Sequence, residues 1–274
     1  MKKILCIILI LVFITFLYSR YINTNGFKII DNTIKIEKLP NELNGFKIVQ
    51  LSDLLLGSTT NIDDLKNIVN SVNKLNPEII VFTGDLIAKN KELTNNEIES
   101  LKETLKKLNC KLYKYAIIGD SDQSNIQLYK EIINDSGFIL LDDKSTYIFY
   151  KSKTPIKLSG LTNSDNIEKA LYLEENYKTV YNIVLTHYPD NIKNISNYDV
   201  DLILAGHSLQ GQIKIPFIGG IIKKEGAQTY IGDYYKIKET EMYVSGGIGT
   251  DNNFNFRFNN KPQINVYRLT TKNK

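Results

Sequence analysis

Five apolar runs in this chain break off at a side chain that can bind a proton or a metal: IVQLS at Asp53, IIVFTG at Asp85, YAIIG at Asp120, NIVLT at His187 and LILAG at His207. The chain has 274 residues and only two histidines, and both are in this set. Singly, each has an ordinary explanation. An Asp after Gly is a turn residue, and a lone His is a half-buried side chain with local partners. The shared context carries more weight. A nearly continuous apolar run reads as a strand covered on both faces. In open α/β sheets the carboxyl ends of such strands line the ligand crevice. Carboxylates and imidazoles delivered to one edge form a donor set for Mn²⁺, Zn²⁺ or Fe²⁺, and the ligand types do not choose among these ions.

The elements that must position these residues follow from periodicity. FKIID and TIKIEKL read as two strands joined at a turn, Asp31-Asn32. FKIVQLSD, EIIVFTGD and YKYAIIGD read as buried strands. Between and after them, Leu65, Ile68, Val69, Val72 and Leu75, then Ile98, Leu101, Leu105 and Leu108, recur at helical spacing. A third helix, NIQLYKEIINDSG, stops at Gly137. This alternation predicts α/β architecture. The later part is mostly strands (FILL, STYIFYK, PIKLSGL, YNIVLTH, DLILAGH, EMYVSGG and PQINVYRLT), interrupted by one helix near Asn166 to Asn176. No internal repeat and no long linker appears. Short Asn-rich loops occur at Asn252, Asn253, Asn255, Asn259 and Asn260. The expected organisation is an N-terminal segment, 1–22, and one domain, 23–274.

Composition narrows the function classes. Net charge is +4, from 34 basic and 30 acidic residues, and the cations are scattered lysines, so no nucleic-acid footprint is expected. The two cysteines, Cys6 and Cys110, form no disulfide framework or metal cluster. No G-x-G-x-x-G follows the first strand and no G-x-x-x-x-G-K occurs. In the first segment, Lys2 and Lys3 precede an uncharged run from Ile4 to Ser19, and Arg20 closes it. The run falls short of the roughly 20 apolar residues of a typical span, which snorkelling lysines and Tyr18 can extend. It has no A-x-A-like cleavage site. The expectation is an uncleaved anchor in the cell membrane, Lys2 and Lys3 cytoplasmic and the domain extracytoplasmic. A cleaved signal segment would make the domain secreted.

With these motifs in order, KIVQLSDLLLG, VFTGDLI, IIGDSD, LTHYPD, LAGHSLQGQIKIPFIGG and YVSGGIGTDNNFNFRFNNKPQINVYRL, the chain resembles the calcineurin-like metallophosphoesterases, and most of all their membrane-anchored bacterial branch. The resemblance runs over nearly the whole chain after the anchor. It implies a four-layer α/β/β/α fold, two packed mixed β-sheets flanked by helices. It also implies hydrolysis of phosphoesters by two divalent metals bridged by an Asp and a hydroxide. Carried over, the first metal would be held by Asp53 and Asp85, but its two histidine positions are Leu55 and Leu209. The second would be held by Asp85, His187 and His207, with Asp120 at an Asn position. The His that aids protonation of the leaving group is replaced by Ser121, and Asp122, which supports that His in the family, faces a lost partner.

Leucine coordinates nothing. The resemblance therefore implies one surviving site, Asp85, Asp120, His187 and His207, beside an abolished one, with one divalent metal and no two-metal centre. One metal against Asp53, Asp85 and Asp120 sums to about −1, where two metals would supply about +4. The expectation is a protein weak or inactive as a phosphoesterase, acting as an extracytoplasmic binding or scaffold module. The alternative is a mononuclear metal-dependent hydrolase. A third reading is a metal-free fold whose Asp and His side chains satisfy one another. An anionic lipid or cell-wall phosphoester is the expected ligand class, because an anchor holds the site near a bilayer. Lys223 and Lys224 could face such headgroups, or simply solvent.

Overall fold

Strands buried on both faces need cover on both, and this chain supplies it by stacking two sheets and flanking each with helices. The computed structural model describes every residue except 38, 90, 163, 174–176, 252–253 and 273–274. Asn252, Asn253 and the end of the helix expected near Asn176 lie outside the described residues.

The first sheet contains β1 (Lys28–Ile36), β2 (Phe46–Leu51), β3 (Ile79–Phe82), β4 (Lys114–Ala116) and β5 (Phe138–Leu140). The second contains β6 (Lys144–Ile148), β7 (Ile156–Leu161), β8 (Tyr181–Thr186) and β9 (Leu202–Ala205). A small hairpin follows, β10 (Lys214–Ile215) with β11 (Gly219–Gly220). The second sheet then gains β12 (Tyr234–Ile237) and β13 (Thr240–Val244), and β14 (Gln263–Thr271) returns to the first. Strand order is β1-β14-β2-β3-β4-β5 in one six-stranded sheet and β12-β13-β9-β8-β7-β6 in the other. Both are mixed.

Helices α2 (Ile62–Leu75), α3 (Asn95–Lys106) and α4 (Ile126–Asp135) follow the N-terminal α1 (Lys2–Leu17). They bury Leu65, Ile68, Leu101, Leu105 and Ile132 against Val49, Ile80 and Phe82 on the outer face of the first sheet. α5 (Ile167–Leu171) and α6 (Ile192–Ile195) cover the second sheet over Val184 and Ile203. Between the sheets lie Ile48, Ile79, Val81 and Tyr115 from one side and Leu158, Ile183, Leu202 and Leu204 from the other. The result is the four-layer α/β/β/α fold. Local chemistry sets the helix ends. Asn61 and Thr94 begin α2 and α3 with reciprocal capping bonds, and Gly137 follows α4 at φ 78°.

The turn expected at Asp31-Asn32 is absent. β1 is one strand of nine residues, parallel to β14 from Lys28↔Gln263 to Ile36↔Thr271. The Arg268 guanidinium donates to both Asp31 oxygens, Nε to Oδ1 at 2.8 Å and Nη2 to Oδ2 at 2.7 Å. A side chain that would close a local turn is engaged by the neighbouring strand instead. α1 continues through a π-helical turn, Tyr18–Ile22, into a helix of 21 residues long and apolar enough to cross a membrane.

One buried polar side chain joins the sheets. Gln50 Nε2 donates to Thr83 Oγ1 (2.9 Å) and to the Ala205 carbonyl of the second sheet (3.0 Å), and Gln50 Oε1 accepts from the Tyr267 hydroxyl (2.7 Å). Thr83 Oγ1 donates to Ser52 Oγ at 2.7 Å, and Ser52 Oγ to Asp53 Oδ2 at 2.5 Å. Gln50→Ala leaves these groups unpaired in a dry interface and should cost about 1–3 kcal/mol in urea unfolding. An unchanged midpoint would mean that water replaces the amide.

Candidate metal centre

The strands of the first sheet deliver Asp53, Asp85 and Asp120 to one edge, and β8 and β9 of the second deliver His187 and His207 to the same edge. The chain turns sharply there. Asp53, Leu55, Asp85, His207 and Leu209 all have positive φ, between 44° and 65°. Non-glycine residues pay of order 1–3 kcal/mol for such backbones. Bonds between the turns hold them: Asp53 N–H to Gly84 O (2.9 Å), Leu55 N–H to Asp85 O and Leu56 N–H to Leu86 O (both 3.0 Å). Glycines allow the close approach. A Cβ on Gly119 would strike the Asp85 carboxylate, and one on Gly84 would lie 2.9 Å from His187 Nδ1.

Four side chains, Asp85, Asp120, His187 and His207, bring one ligand atom each to within 4.8 Å of the others. Backbone carbonyls fix both histidine tautomers. His187 Nδ1 lies 2.7 Å from Thr83 O, and His207 Nε2 lies 2.7 Å from Glu225 O. A carbonyl only accepts, so these nitrogens carry the protons and the other two face inward with their lone pairs. The inward nitrogens are 3.2 Å apart, and each is 3.0 Å from Asp120 Oδ1. Asp85 Oδ2 is 3.4 Å from His187 Nε2.

Acceptors therefore face acceptors, and a positive charge must relieve them. Burial opposes a charged His187, but Asp85 and Asp120 overcome it and push the imidazole well above its ordinary pKa. Burial likewise opposes ionised Asp120, while bonds from His187 and His207 hold it well below the usual carboxylate range. The proton on His187 is one solution. A divalent cation is the other, and the donor set fits one: two imidazoles braced by carbonyls and two carboxylates. Asp120 is about one-third exposed, whereas His187, His207 and Asp85 are buried, so the group opens to solvent on the Asp120 side.

Asp53 is not one of the four. Both of its oxygens accept the His207 backbone N–H at 3.1 Å, and it is fully buried. Burial, and the nearby Asp85, raise its pKa, while His187 acts the other way. Leu55, Leu209 and Ala88 form a separate apolar cluster beside it. A Cβ on Gly247 would meet Leu209 and Asp53 together, so the glycine turn closes over this hydrocarbon. Ser121 is buried, and its hydroxyl has no hydrogen-bond partner among the described residues.

Asp122 has partners of its own. Its Oδ2 accepts from Asp85 N–H and Gly119 N–H, both at 2.8 Å, and Oδ1 accepts from Leu86 N–H at 2.9 Å. The carboxylate ties the β3 turn to the β4 turn. Burial and then Asp85 push its pKa up to about 7. Lys224 pairs with Asp251 at 2.9 Å, while Lys223 is exposed.

Sequence reasoning missed three participants. The Tyr188 ring stands edge-on to both imidazoles, at 4.8 Å from His207 and 5.5 Å from His187. The Glu225 carbonyl braces His207. Arg257 is fully buried, donating Nε and Nη2 to Gly249 O and Nη1 to Asn260 O. Burial lowers its pKa to about 10, and Asp53 pulls it back up. A single arginine among the phenylalanines of FNFRF was the available signal.

The calcineurin-like phosphoesterase profile matches residues 46–211. The chain is 30% identical to the metallophosphoesterase YkuE of Bacillus subtilis, over 93% of this chain and 90% of that one. It is 29% identical to a zebrafish (Danio rerio) transmembrane protein with a metallophosphoesterase domain, over 81% of this chain and 53% of the other. It is 24% identical to the UDP-2,3-diacylglucosamine pyrophosphatase LpxG of Chlamydia muridarum, over 93% of each.

Two outcomes follow from the geometry. A metal must displace the His187 proton, so its binding at neutral pH should release about one proton and tighten as pH rises. Calorimetry in buffers of different ionisation enthalpy reads this directly, and binding without proton release would mean that His187 is neutral before the metal arrives, its Nε2 lone pair already free. Without metal, the raised His187 pKa contributes stability that is complete below the unfolded value near 6.5 and is lost as pH rises through the folded one. The Tm of metal-free protein should therefore fall toward alkaline pH, and added metal should flatten that fall. Separately, Leu55→His with Leu209→His places two imidazoles where hydrocarbon now sits, and metal content should rise from about one to about two per chain.

Proposed function

The chain belongs to the calcineurin-like phosphoesterase family, and on that footing we propose that it is a membrane-anchored, extracytoplasmic member with a single metal site. The cation is held by Asp85, Asp120, His187 and His207, and it serves to bind a phosphoester rather than to turn it over efficiently. The observation that carries this reading is the adjacency of two unlike environments: four converging donors, and beside them Leu55, Ala88 and Leu209.

A bound divalent cation supplies Lewis acidity toward a phosphoryl oxygen. The clamp on both attacking and leaving oxygens needs a second cation, and hydrocarbon fills that position. Ser121 stands where a proton donor to the leaving group would be, a loss of roughly 10²–10⁴ in rate. Ligand approach is from the Asp120 side. The apolar helix from Lys2 to Ile22 supports the anchor, and Lys2 and Lys3 favour a cytoplasmic N-terminus.

A second reading, slow mononuclear hydrolysis, is favoured by LpxG, whose name describes cleavage of a pyrophosphate on a diacylated sugar nucleotide. It makes lipid-linked phosphoesters or phosphoanhydrides the first class to try, ahead of wall-linked ones.

Full-length protein in detergent is expected to hold about one metal per chain by elemental analysis, and the Asp120→Ala, His207→Ala double variant none. Absence of metal from both proteins overturns the single-metal reading. Metal-dependent turnover of a lipid phosphoester that His207→Ala abolishes overturns the binding reading and establishes the hydrolase.

A further inference from the structure

The hairpin of β10 and β11 ends in Pro216, Phe217 and Ile218. Phe217 is 109% exposed and Ile218 73%, more than any other large apolar side chain described beyond the N-terminal helix. Ile215 and Ile221 flank them and are also exposed. Scattered single apolar residues on a surface are ordinary, but several projecting from one tip mark a contact.

The base of the hairpin connects to the helix from Lys2 to Ile22. Lys214 N–H donates to Phe258 O at 2.9 Å, and Ile213 bridges to Phe258. On the same segment, Arg257 N–H donates to Ser19 O at 3.0 Å, and the Phe256 ring lies 4.9 Å from that of Phe16. Phe16 precedes Ile22, the end of the apolar helix, by six residues, about 9 Å at 1.5 Å per residue. The segment bearing the hairpin thus rides at the depth of the last turns of the helix, where a bilayer gives way to headgroups. Exposed Lys223 follows the apolar stretch, the placement of a basic residue facing anionic lipid.

We infer that this hairpin is a second membrane contact, inserting Phe217 and Ile218 into the leaflet from which α1 emerges. The inference rests on the anchor proposed above. It also fixes the site relative to the bilayer. The hairpin lies between Leu209 and Glu225, whose carbonyl braces His207, and a Cβ on Gly211 would already lie 2.5 Å from Gly220. A tip seated in lipid sets the donor group beside the headgroups, so the ligand is a phosphate borne on a lipid.

The chain has no tryptophan, so a single introduced one reports its own surroundings. Full-length Phe217→Trp, Ile218→Trp, Phe13→Trp and Tyr113→Trp proteins would be placed in nanodiscs of phosphatidylcholine and phosphatidylglycerol, with plain or brominated acyl chains. Tyr113 is exposed at the amino end of β4, away from the strand ends that carry the site. The hairpin tryptophans are expected to emit blue-shifted light and to lose most of it to bromine, as Phe13→Trp does, while Tyr113→Trp keeps its emission. If Phe13→Trp is quenched and both hairpin variants behave like Tyr113→Trp, the second contact is wrong and the anchor stands. If Phe13→Trp is not quenched, the anchor is wrong and the hairpin inference falls with it.

Discussion

Two imidazole nitrogens with their lone pairs turned toward each other need a positive charge to share, and that need organises the rest of the site. The nitrogens are 3.2 Å apart, with the Asp120 carboxylate against both. Neither ring can turn away, because its other nitrogen donates to a carbonyl of the surrounding backbone. Thr83, which braces His187, also receives the Gln50 amide that ties the sheets together. The orientation of the donors is thus set by the same bonds that hold the two layers in register. Asp122 does similar work in the first sheet, gathering three amides from the turns that present Asp85 and Asp120.

The neighbouring position shows the opposite economy. Leu55 and Leu209 keep left-handed backbones that suit small or polar residues better, and their side chains pack with Ala88 in a dry cluster. Asp53, which would face a metal there, is turned to the His207 backbone and the Ser52 hydroxyl. Arg257 is buried in the same region, bonded to carbonyls. Left-handed turns here enclose hydrocarbon, and the nearby charges of Asp53 and Arg257 are met by hydrogen bonds.

Much of this was readable from residue order alone. Apolar strands ending in Asp or His marked the five side chains that gather at one edge, because strand direction is a property of a few consecutive residues. Helix caps at Asn61 and Thr94 and the stop at Gly137 are equally local. What escaped notice depends on neighbours distant in sequence. Asp31-Asn32 has turn chemistry, yet Arg268, 237 residues away, holds it straight. β10 and β11 have two residues each, too few to show a period. The bonds of Asp122 and Arg257 go to main-chain atoms, which carry no signature in the sequence.

The four donors come from two different sheets: Asp85 and Asp120 follow β3 and β4, and His187 and His207 follow β8 and β9. Asp120 and His207 are 87 positions apart in the chain. A cation in this group is therefore a cross-link as well as a ligand, closing that long loop at the outside edge while Gln50 ties the two sheets together from within. Chain-entropy arguments give such closures their largest effect on the unfolded ensemble. Withdrawing the ion would weaken first the rim that carries the site, where the contacts of Asp120 with His187 and His207 would then be left to hold the two sheets together.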